Sequence, residues 1–552
     1  MLTALFFSML MSIYAPPVDY PISLAGNFGE PRPHHFHGGL DIKTDGREGK
    51  HIYAIADGYV SRVTQGLYGF GNAVYITHPD GHTSVYCHLR SFSPRIRSAM
   101  RRYQYAHETN STDVRFSPLE CPVSQGQFIA LSGNTGNSSA PHLHLEIHDT
   151  RTWHMLDPYP FLNDDISDTI PPQAHNLMAC PQQGQGIFNG GDHKQTFAFT
   201  SHNLQRTFTA WGKVGFAIWA NDYMQGSYNH YGIRETVLRC DSQEIFRAVV
   251  DRIPVGMNRL VNSWGDYDHW LHYRVWYLKS FVEPGNTLPI LHADTHRGII
   301  DFAEERDYHL EYLLRDYKGN ESRYAFTVRG LRPTAPFRQP NITGKVFRWN
   351  QTNSYSEPGM QLVVPYGLLA ADIVLHPVTR HQPNALSDAY TFSPRSLPLT
   401  ADGEIAIYAR LDNIDAGSIV HQEADPSKLY IRDTSGRYFG GEYRDGWVSG
   451  RIRELGLCYQ VGYDDTPPAI RPVSISSSRI AVSITDGQSG LASFRATIDD
   501  RFVCFDVHDK SPVISCDLDE TPLRKTGTAH RLTITATDNR QNTQTYETNI
   551  IY

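Results

Sequence analysis

The stretch "NAVYITHPDGHTSVYCHL", residues 72–89, decides the fold class of the first part of the chain. Two runs in which apolar and polar residues alternate flank the turn sequence Pro79-Asp80-Gly81, a pattern typical of a β-hairpin. The stretches "QFIALSGN" (127–134) and "HLHLEIHD" (142–149) have the same short, strand-like character. The sequence therefore predicts a small antiparallel β domain over residues 16–165.

One segment of this domain has a different pattern. In "SPRIRSAMRRYQYAHE", residues 93–108, Ser93 and Pro94 form a good helix start, and Arg and Ala fill the interior. We expect an inserted helix directly after the strand that carries His88. Its basic face is expected to be solvated, and binding of an acidic polymer is the alternative.

The rest of the chain contains an internal repeat. "DTIPP" at Asp168 and "DDTPPAI" at Asp464 open two similar blocks, and each block closes on an Asp-x-x-x-Asn turn between two alternating strands. Short strands with regularly spaced turns favour β-sandwiches. The fold class is therefore mainly β, with the first domain followed by two or three β-sandwich (Ig-like) domains. Their predicted bounds are 168–330, 335–462 and 464–552, the middle one being β-rich after the Pro-rich linker "LRPTAPFRQP".

An aromatic stretch, "WGDYDHWLHYRVWYLKSF" (264–281), lies in the first of these blocks. Its rings are suited to stacking on sugars, but the alternation along the segment favours a strand in a sandwich core.

The net charge and the first residues of the chain indicate which binding partners and which cellular compartment to expect. The 552 residues carry a formal net charge of −8, which gives no support to nucleic-acid binding. Residues 1–15 contain an apolar run too short to span a membrane comfortably, and they predict a secretory signal, with a buried first strand as the alternative. No later segment is apolar enough to cross a bilayer. Export to the periplasm or cell surface is the expectation.

The seven cysteines form no C-x-x-C pair, so a zinc knuckle is not expected. Cys504 and Cys516 flank a plausible hairpin and are candidates for a disulfide in an oxidising compartment. The sequence leaves the remaining connectivity and the oligomeric state open.

Five polar residues of the first domain have the spacing of a catalytic metal site. In "HFHGGLDI" (35–42), His37 and Asp41 are four residues apart and share a face if the segment is extended. His142 and His144 are two apart on a predicted strand, and His88 ends another strand, where alternation places it on the face of its i−2 neighbour, opposite Cys87. A catalytic zinc takes three protein ligands and one water, so two of the five are left as proton carriers. Each residue alone also has an ordinary structural interpretation.

Taken together, "HFHGGLDI", "VYCHL" and "SGNTGNSSAPHLHLEI" resemble the lysostaphin-type (LytM-like) zinc endopeptidases, which cut peptidoglycan peptides. That family has H-x-x-x-D early, Y-x-H in the middle and H-x-H late, in the order found here. Residues 20–150 carry the resemblance, with Ala140 in place of a family Gly and the helical insertion as departures. The resemblance implies that His37, Asp41 and His144 bind zinc and that His88 and His142 are catalytic. His35 is expected to be a bystander or a supporting group.

The implied function is a zinc metallopeptidase that hydrolyses cross-links or stem peptides of peptidoglycan. The alternatives are a non-catalytic envelope binding or activator protein on the same fold, and a sugar-binding adhesion protein. Because all five candidate residues precede position 150, residues 168–552 are expected to be dispensable for the chemistry and to help find an insoluble substrate. The alternative is that these modules shield the hydrophobic side of the first domain and are needed for its stability.

Overall fold

The computed structural model of the chain describes residues 14–66, 69–110, 113–413, 425–507 and 510–552. The expected signal segment lies almost wholly outside the described residues. Ala15, at its end, donates a backbone hydrogen bond to the Ile55 carbonyl at 2.7 Å. None of the helices in the described ranges combines the length and the apolar character needed to span a bilayer.

The N-terminal domain is built on one antiparallel sheet. From edge to edge, its strands are Leu24–Gly26, Leu40–Lys43, His142–Asp149, His82–Cys87, Ala73–Thr77, Gly58–Thr64 and Asp113–Arg115. Short strands at Pro122–Val123 and Met155–Leu156 extend it, and a separate sheet contains His51–Tyr53, Phe128–Leu131 and Ser91–Phe92. A two-stranded ribbon joins Pro31–Arg32 to His35–Phe36.

The predicted hairpin forms the middle of this sheet, where Val74 pairs with Tyr86. The strand His142–Asp149 lies between Leu40–Lys43 and His82–Cys87. Its register places His144 opposite Asp41 on one side and opposite Cys87 on the other. Directly paired residues of an antiparallel sheet present their side chains on the same face. Strand register therefore brings the late His-x-His motif against the early Asp.

The predicted insertion is the helix Pro94–Ala106. The expectation that its basic face is solvated holds for the exposed Arg95 and Arg102 but is wrong for Arg97 and Arg101. Arg101 pairs with Asp506 at 2.6 Å, and Arg97 pairs with Glu520 at 2.7 Å, so the helix docks on the C-terminal module. Two carboxylates from a segment about 400 positions away supply the counter-charges, and no local sequence pattern reports such a pairing.

The remaining modules are also built from strands. Residues 168–330 form one ten-stranded sheet with strands Gln173–Phe188, Gln195–Ala198, Asn203–Asn221, Glu235–Cys240, Gln243–Val249, Leu278–Lys279, Leu291–Ala293, Ile300–Phe302, Asp307–Arg315 and Glu321–Gly330. A further strand, Arg252–Ile253, pairs with Met155–Leu156 of the N-terminal domain.

The third and fourth modules each contain two larger sheets. In the third, the strands are Lys345–Phe347, Asn353–Glu357, Met360–Val364, Ile373–Leu375, Val378–Arg380, Ala389–Thr391, Pro398–Tyr408, Leu429–Asp433, Glu442–Arg444, Trp447–Glu454 and Tyr459–Tyr463. In the fourth, they are Ala469–Ile475, Arg479–Thr485, Leu491–Ile498, Arg501–Phe502, Asp506–Val507, Val513–Asp517, Ala529–Asp538 and Thr543–Ile551. The chain is mainly β, as predicted, while the module bounds given above stay predictions.

The aromatic stretch 264–281 lies in the expected core only in part: Trp264 belongs to the core of the second module and Leu278–Lys279 is a strand of its sheet, but no continuous strand runs through the stretch. It starts at the end of the helix Val261–Trp264 and continues into the helix Tyr267–Tyr273. Asp266 caps the second helix by accepting a hydrogen bond from the His269 backbone N–H at 3.1 Å. The capped helix therefore forms here in place of the strand that the alternation of the sequence suggested.

All seven cysteines are free thiols in the structure, so the proposed Cys504–Cys516 bridge is not formed. The hairpin between them is present, since Asp506–Val507 pairs with Val513–Asp517. The Cys504 sulfur instead lies 2.9 Å from Nη1 of Arg101.

The N-terminal domain does not close its hydrophobic core alone. Met224 and Tyr231 from the second module belong to its core cluster, while its own Phe28 and Phe36 are buried in the core of that module. The strand pairing of Met155 with Ile253 carries the main sheet across the same boundary. The expectation that residues 168–552 are dispensable therefore needs revision for the second module.

We predict that a chain ending at Leu162 is much less stable than one ending at Gly330. The shorter chain uncovers Phe28 and Phe36, and each such side chain costs about 1.5–3 kcal/mol when exposed. Urea unfolding of the two proteins checks this, with the full chain as reference. Equal unfolding midpoints for the two truncated chains would show that the second module is not needed for stability.

Candidate metal centre and active site

Three side chains of the N-terminal domain converge on one buried point. The His37 Nε2 atom lies 2.9 Å from Asp41 Oδ1 and 2.9 Å from His144 Nδ1, and His144 Nδ1 lies 2.8 Å from Asp41 Oδ1. The three residues are at most 7% exposed. The triangle is only slightly smaller than the spacing of about 3.3 Å between ligand atoms that zinc–nitrogen bonds of about 2.05 Å give in tetrahedral geometry.

The outer hydrogen bonds of both rings favour metal binding. Nδ1 of His37 lies 2.6 Å from the Asn27 carbonyl oxygen, and Nε2 of His144 lies 3.0 Å from Glu146 Oε1. Both partners only accept, so each ring places its N–H on the outside. The lone pairs of His37 Nε2 and His144 Nδ1 then face Asp41 Oδ1. Three acceptors at hydrogen-bond distance repel each other unless a cation lies between them.

A proton is the competitor of a metal at this point. Burial lowers the pKa of His144, but hydrogen bonds to Asp41 and Glu146 outweigh burial and raise it to about 9. Burial lowers the pKa of His37 to about 4. Burial also works against ionisation of Asp41, but the surrounding histidines hold its pKa well below the usual range. At neutral pH, Asp41 is therefore a carboxylate and His37 is neutral. His144 holds a proton, which it releases when a metal binds.

The two glycines between His37 and Asp41 are required by close packing. A Cβ on Gly39 would lie 2.1 Å from the Leu145 carbonyl oxygen, and a Cβ on Gly38 would lie 2.3 Å from Glu146 Oε1. Side chains at these positions would push away the strand that carries His144 and the carboxylate that orients its ring. Glycine therefore lets the early and late motifs approach each other.

The sequence interpretation misplaced the side chain of His88. Cys87 pairs with His144 and shares its face of the sheet. Strict alternation would therefore put the His88 side chain on the opposite face. The strand instead ends at Cys87, and His88 adopts a left-handed conformation with φ of 60°. This conformation is uncommon for a residue with a side chain. It brings the His88 ring to 4.8 Å from the His142 ring and 5.7 Å from the His144 ring, measured between centroids.

His88 and His142 are held in the same way by the loop at 133–141. Nδ1 of His88 lies 2.7 Å from the Thr135 carbonyl oxygen, and Nδ1 of His142 lies 2.8 Å from the Ala140 carbonyl oxygen. Each Nδ1 is therefore held by a backbone carbonyl, and Nε2 is the ring nitrogen left to face other groups. Nε2 of His142 points at the triad, 3.2 Å from Asp41 Oδ1. Burial, together with His144 and His142, lowers the pKa of His88 to about 3, so its ring is neutral at pH 7.

Several supporting residues escaped the sequence interpretation. Glu146 bridges His144 to His148, with 2.6 Å between Glu146 Oε2 and His148 Nε2. Arg32 binds the second oxygen of Asp41 at 2.9 Å. The signal for Glu146 and His148 was available, because they continue the period of two along "HLHLEIHD". Arg32 had no such signal, since it reaches Asp41 from a separate ribbon.

His35 lies outside the triad. Its ring is on the exposed side of the ribbon, with Nδ1 3.0 Å from the Pro33 carbonyl oxygen.

Two further acidic clusters have ligand atoms close enough for a metal. They are Asp168 with Asp222 and Asp316, and Asp464 with Asp486 and Asp538. Burial and the two neighbouring carboxylates raise the pKa of Asp222 to about 8.

Two stretches of the chain match family models. Residues 35–104 match peptidase family M23, and residues 344–464 match the Zu5-like domain. The M23 match includes His37, Asp41 and His88.

Three named proteins are similar to part of the chain. An uncharacterized metalloprotease of Haemophilus influenzae is 33% identical over 120 residues, covering 22% of this chain and 19% of the relative. The DD-carboxypeptidase/endopeptidase Mpg of Neisseria meningitidis is 32% identical over 20% of this chain and 19% of the relative. The glycyl-glycine endopeptidase ALE-1 of Staphylococcus capitis is 30% identical over 21% of this chain and 26% of the relative. The chain thus spans about a fifth to a quarter of the length of these relatives.

Among solved structures, the catalytic domain of lysostaphin from Staphylococcus simulans is 26% identical and aligns with 25% of this chain and 89% of its own, with a TM-score of 0.19. On the family match and these relatives, the N-terminal part of the chain contains a match to peptidase family M23, and the chain is similar in part to a metalloprotease and to a glycyl-glycine endopeptidase.

Proposed function

We propose that the N-terminal domain is a zinc endopeptidase that hydrolyses peptide bonds in bacterial peptidoglycan. The observation that carries the proposal is the convergence of two imidazole lone pairs and one carboxylate oxygen at 2.8–2.9 Å. Nitrogen and oxygen donors of this kind suit zinc, which in catalytic sites takes three protein ligands. His37, Asp41 and His144 would hold the ion, with Asn27 and Glu146 fixing the two rings.

A bound zinc would supply a Lewis acid and lower the pKa of a coordinated water towards neutrality. The residues around it would orient the substrate and move protons. His88 and His142 each have Nδ1 held by a backbone carbonyl, so Nε2 is the nitrogen that would exchange protons with the substrate. A neutral ring of this kind can take the proton of an attacking water, and its protonated form can donate to the oxyanion or the leaving amine.

The substrate class is proposed from the relatives. Two of them are named as endopeptidases, one of them for glycyl-glycine bonds. In peptidoglycan, glycyl-glycine bonds would lie in glycine cross-bridges, and other peptide bonds lie in the stem peptides. An enzyme with this substrate works in the cell envelope, so we also propose that the protein is exported to the periplasm or the cell surface.

A non-catalytic binding or activator protein on the same fold is the second candidate. The observation that separates them is that both proton-carrying histidines are present and held by the backbone, which a binding protein would not require. Digestion of purified peptidoglycan by the full chain, with zinc supplied and with a chelator, tests the proposal. Zinc-dependent release of peptide fragments seen by mass spectrometry is expected. Binding to peptidoglycan without any release would favour the binding protein.

We further propose four structural units over residues 16–165, 168–330, 335–462 and 464–552. Each range contains most of one of the four larger hydrophobic cores. The later units would hold the peptidase domain and contact the polymer.

Replacement of Glu146 by Gln should weaken zinc binding about 10- to 100-fold. Glutamine retains an oxygen acceptor for His144 Nε2–H but loses the charge that makes the opposite nitrogen a better donor. Competition with a zinc-binding dye measures the affinity. The exposed Glu48→Gln variant is the control and should bind zinc like the natural chain. Unchanged affinity in the Glu146→Gln protein would contradict the orienting role.

A further inference from the structure

A second buried cluster, far from the histidines in sequence, consists of Asp168, Asp222 and Asp316. Asp168 lies in the linker after the peptidase domain, Asp222 follows the strand Asn203–Asn221, and Asp316 follows the strand Asp307–Arg315. One carboxylate oxygen of each lies within 4.8 Å of those of the other two. All three residues are buried, with exposures of 7%, 3% and 2%. Three buried carboxylates in contact need a counter-charge.

Asp222 is the member with an unpaired carboxylate oxygen. Its Oδ1 atom is fully buried and has no hydrogen-bond partner among the described residues. The other two carboxylates are bonded, because Asp168 Oδ1 accepts from the Ile170 N–H at 3.0 Å and Asp316 accepts two bonds from Asn320. Within the described ranges, none of the three forms an ion pair with a lysine or arginine side chain. An unpaired buried carboxylate oxygen is costly, so it indicates a missing ligand.

The internal repeat supplies a comparison for the cluster. In the C-terminal module, Asn542 Nδ2 donates to Asp538 Oδ2 at 2.7 Å and to the Asp464 carbonyl at 2.8 Å. In the second module, Asn320 Nδ2 donates to Asp316 Oδ2 at 2.7 Å and to the Asp168 carbonyl at 3.3 Å. The same Asp-Asn hydrogen bonds therefore occur in both repeats. In each module they join the last turn to the first residue.

The two clusters differ at their third acid. Asp486 Oδ1 accepts hydrogen bonds from the backbone N–H groups of Gln488 at 3.0 Å and Gly490 at 2.6 Å. The corresponding Asp222 Oδ1 receives none. The Asp-Asn hydrogen bonds thus lie within the protein in both repeats, and among the described residues only the cluster with Asp222 has a fully buried carboxylate oxygen without a partner.

The space beside Asp222 suits a single ion. A cavity of 10 Å³ is lined by Asp168 and Asp222 and also by Asp157 and Arg234. This is about the volume of one water-sized sphere, which is too small for an organic ligand. Arg234 lines the same cavity and pairs with Asp157, 3.7 Å from its Nε, while its buried Nη1 has no hydrogen-bond partner among the described residues. Asp316 lies outside the lining of this cavity. A donor set made only of oxygens selects a hard cation, and calcium accepts irregular geometry more readily than magnesium does.

We propose that Asp168, Asp222 and Asp316 bind one calcium ion. The ion would fasten the loop from Asp222 to Gly232, whose ends are paired through the backbone of Asp222 and Tyr231. That loop reaches the peptidase domain, where Tyr231 donates its hydroxyl to the Leu24 carbonyl at 2.8 Å and Gly232 exchanges two bonds with Asn27. Calcium would thereby stabilise the junction between the first two units.

Calcium titration of the full chain tests the proposal. The protein is passed over a chelating resin, resupplied with zinc, and titrated calorimetrically with calcium chloride or magnesium chloride. We expect one calcium per chain at this site, weaker magnesium binding, and a calcium-dependent rise in melting temperature. Absence of calcium binding or of the temperature rise in the natural chain would overturn the proposal.

Three variants locate the site. Asp222→Asn and Asp168→Asn should each lose the calcium-dependent rise, whereas Asp486→Asn, in the matched cluster of the C-terminal module, should keep it. If Asp486→Asn abolishes the rise and Asp222→Asn preserves it, the ion is bound in the other module and the proposal is wrong. It is also wrong if Asp222→Asn is more stable than the natural chain in calcium, because the cluster would then hold a proton rather than an ion.

Discussion

The His144→Ala variant should purify almost free of zinc and should show no peptidase activity. His144 supplies one of three converging donor atoms, and its Nδ1 lies within 2.9 Å of both others. Loss of an orienting partner outside the metal shell costs about 10- to 100-fold in affinity, and loss of a direct ligand costs more. Elemental analysis of the purified protein measures the zinc, and release of fragments from peptidoglycan measures the activity.

The control for this variant is His35→Ala. His35 belongs to the same early motif, but its ring is exposed and lies on the Pro33 carbonyl. It should retain zinc and activity close to the natural chain. A His144→Ala protein that keeps its full zinc content would show that the converging triangle is not the metal site, and the assignment of His37 and Asp41 would fall with it.

Much of the site was predictable because strand periodicity is a local property. The alternation in "HLHLEIHD" puts His142 and His144 on one face, and in the structure both reach Asp41 Oδ1, at 3.2 and 2.8 Å. The spacing of His37 and Asp41 predicted a shared face for the same reason. The same alternation pointed onwards to Glu146, but acidic residues on strands are common, and only the structure shows that it bonds His144.

What was not predictable depends on tertiary contacts. The left-handed backbone of His88 has no sequence signal, since neither a neighbouring glycine nor an asparagine marks it. The helix Pro94–Ala106 was expected from its start and composition, but its partner carboxylates, Asp506 and Glu520, come from the far end of the chain. The exchange of Phe36 and Tyr231 between two cores likewise joins residues about 200 positions apart. Each of these depends on how modules pack, and local patterns carry no record of that.

The His142→Ala variant should retain its zinc and lose activity by about 10²- to 10⁴-fold, the usual range for removing a proton-transferring side chain. His142 lies beside the triad rather than in it. Its Nδ1 is bonded to the Ala140 carbonyl, and its Nε2 is 3.2 Å from Asp41 Oδ1, farther than either Nε2 of His37 or Nδ1 of His144. Zinc content and the rate of cleavage of a soluble stem-peptide substrate are measured on the same preparation.

Retention of zinc together with loss of activity is the result that identifies His142 as a proton carrier. Ser138→Ala is the matched control, because the Ser138 hydroxyl touches His142 Nδ1 at 3.2 Å while the Ala140 carbonyl still holds the ring. It should keep both zinc and most of the activity. If His142→Ala loses its zinc, then His142 is a fourth ligand and cannot carry protons, which would leave His88 as the only candidate. If His142→Ala keeps zinc and cleaves at the natural rate, the ring has no part in the reaction, and its position beside Asp41 serves only the packing of the loop.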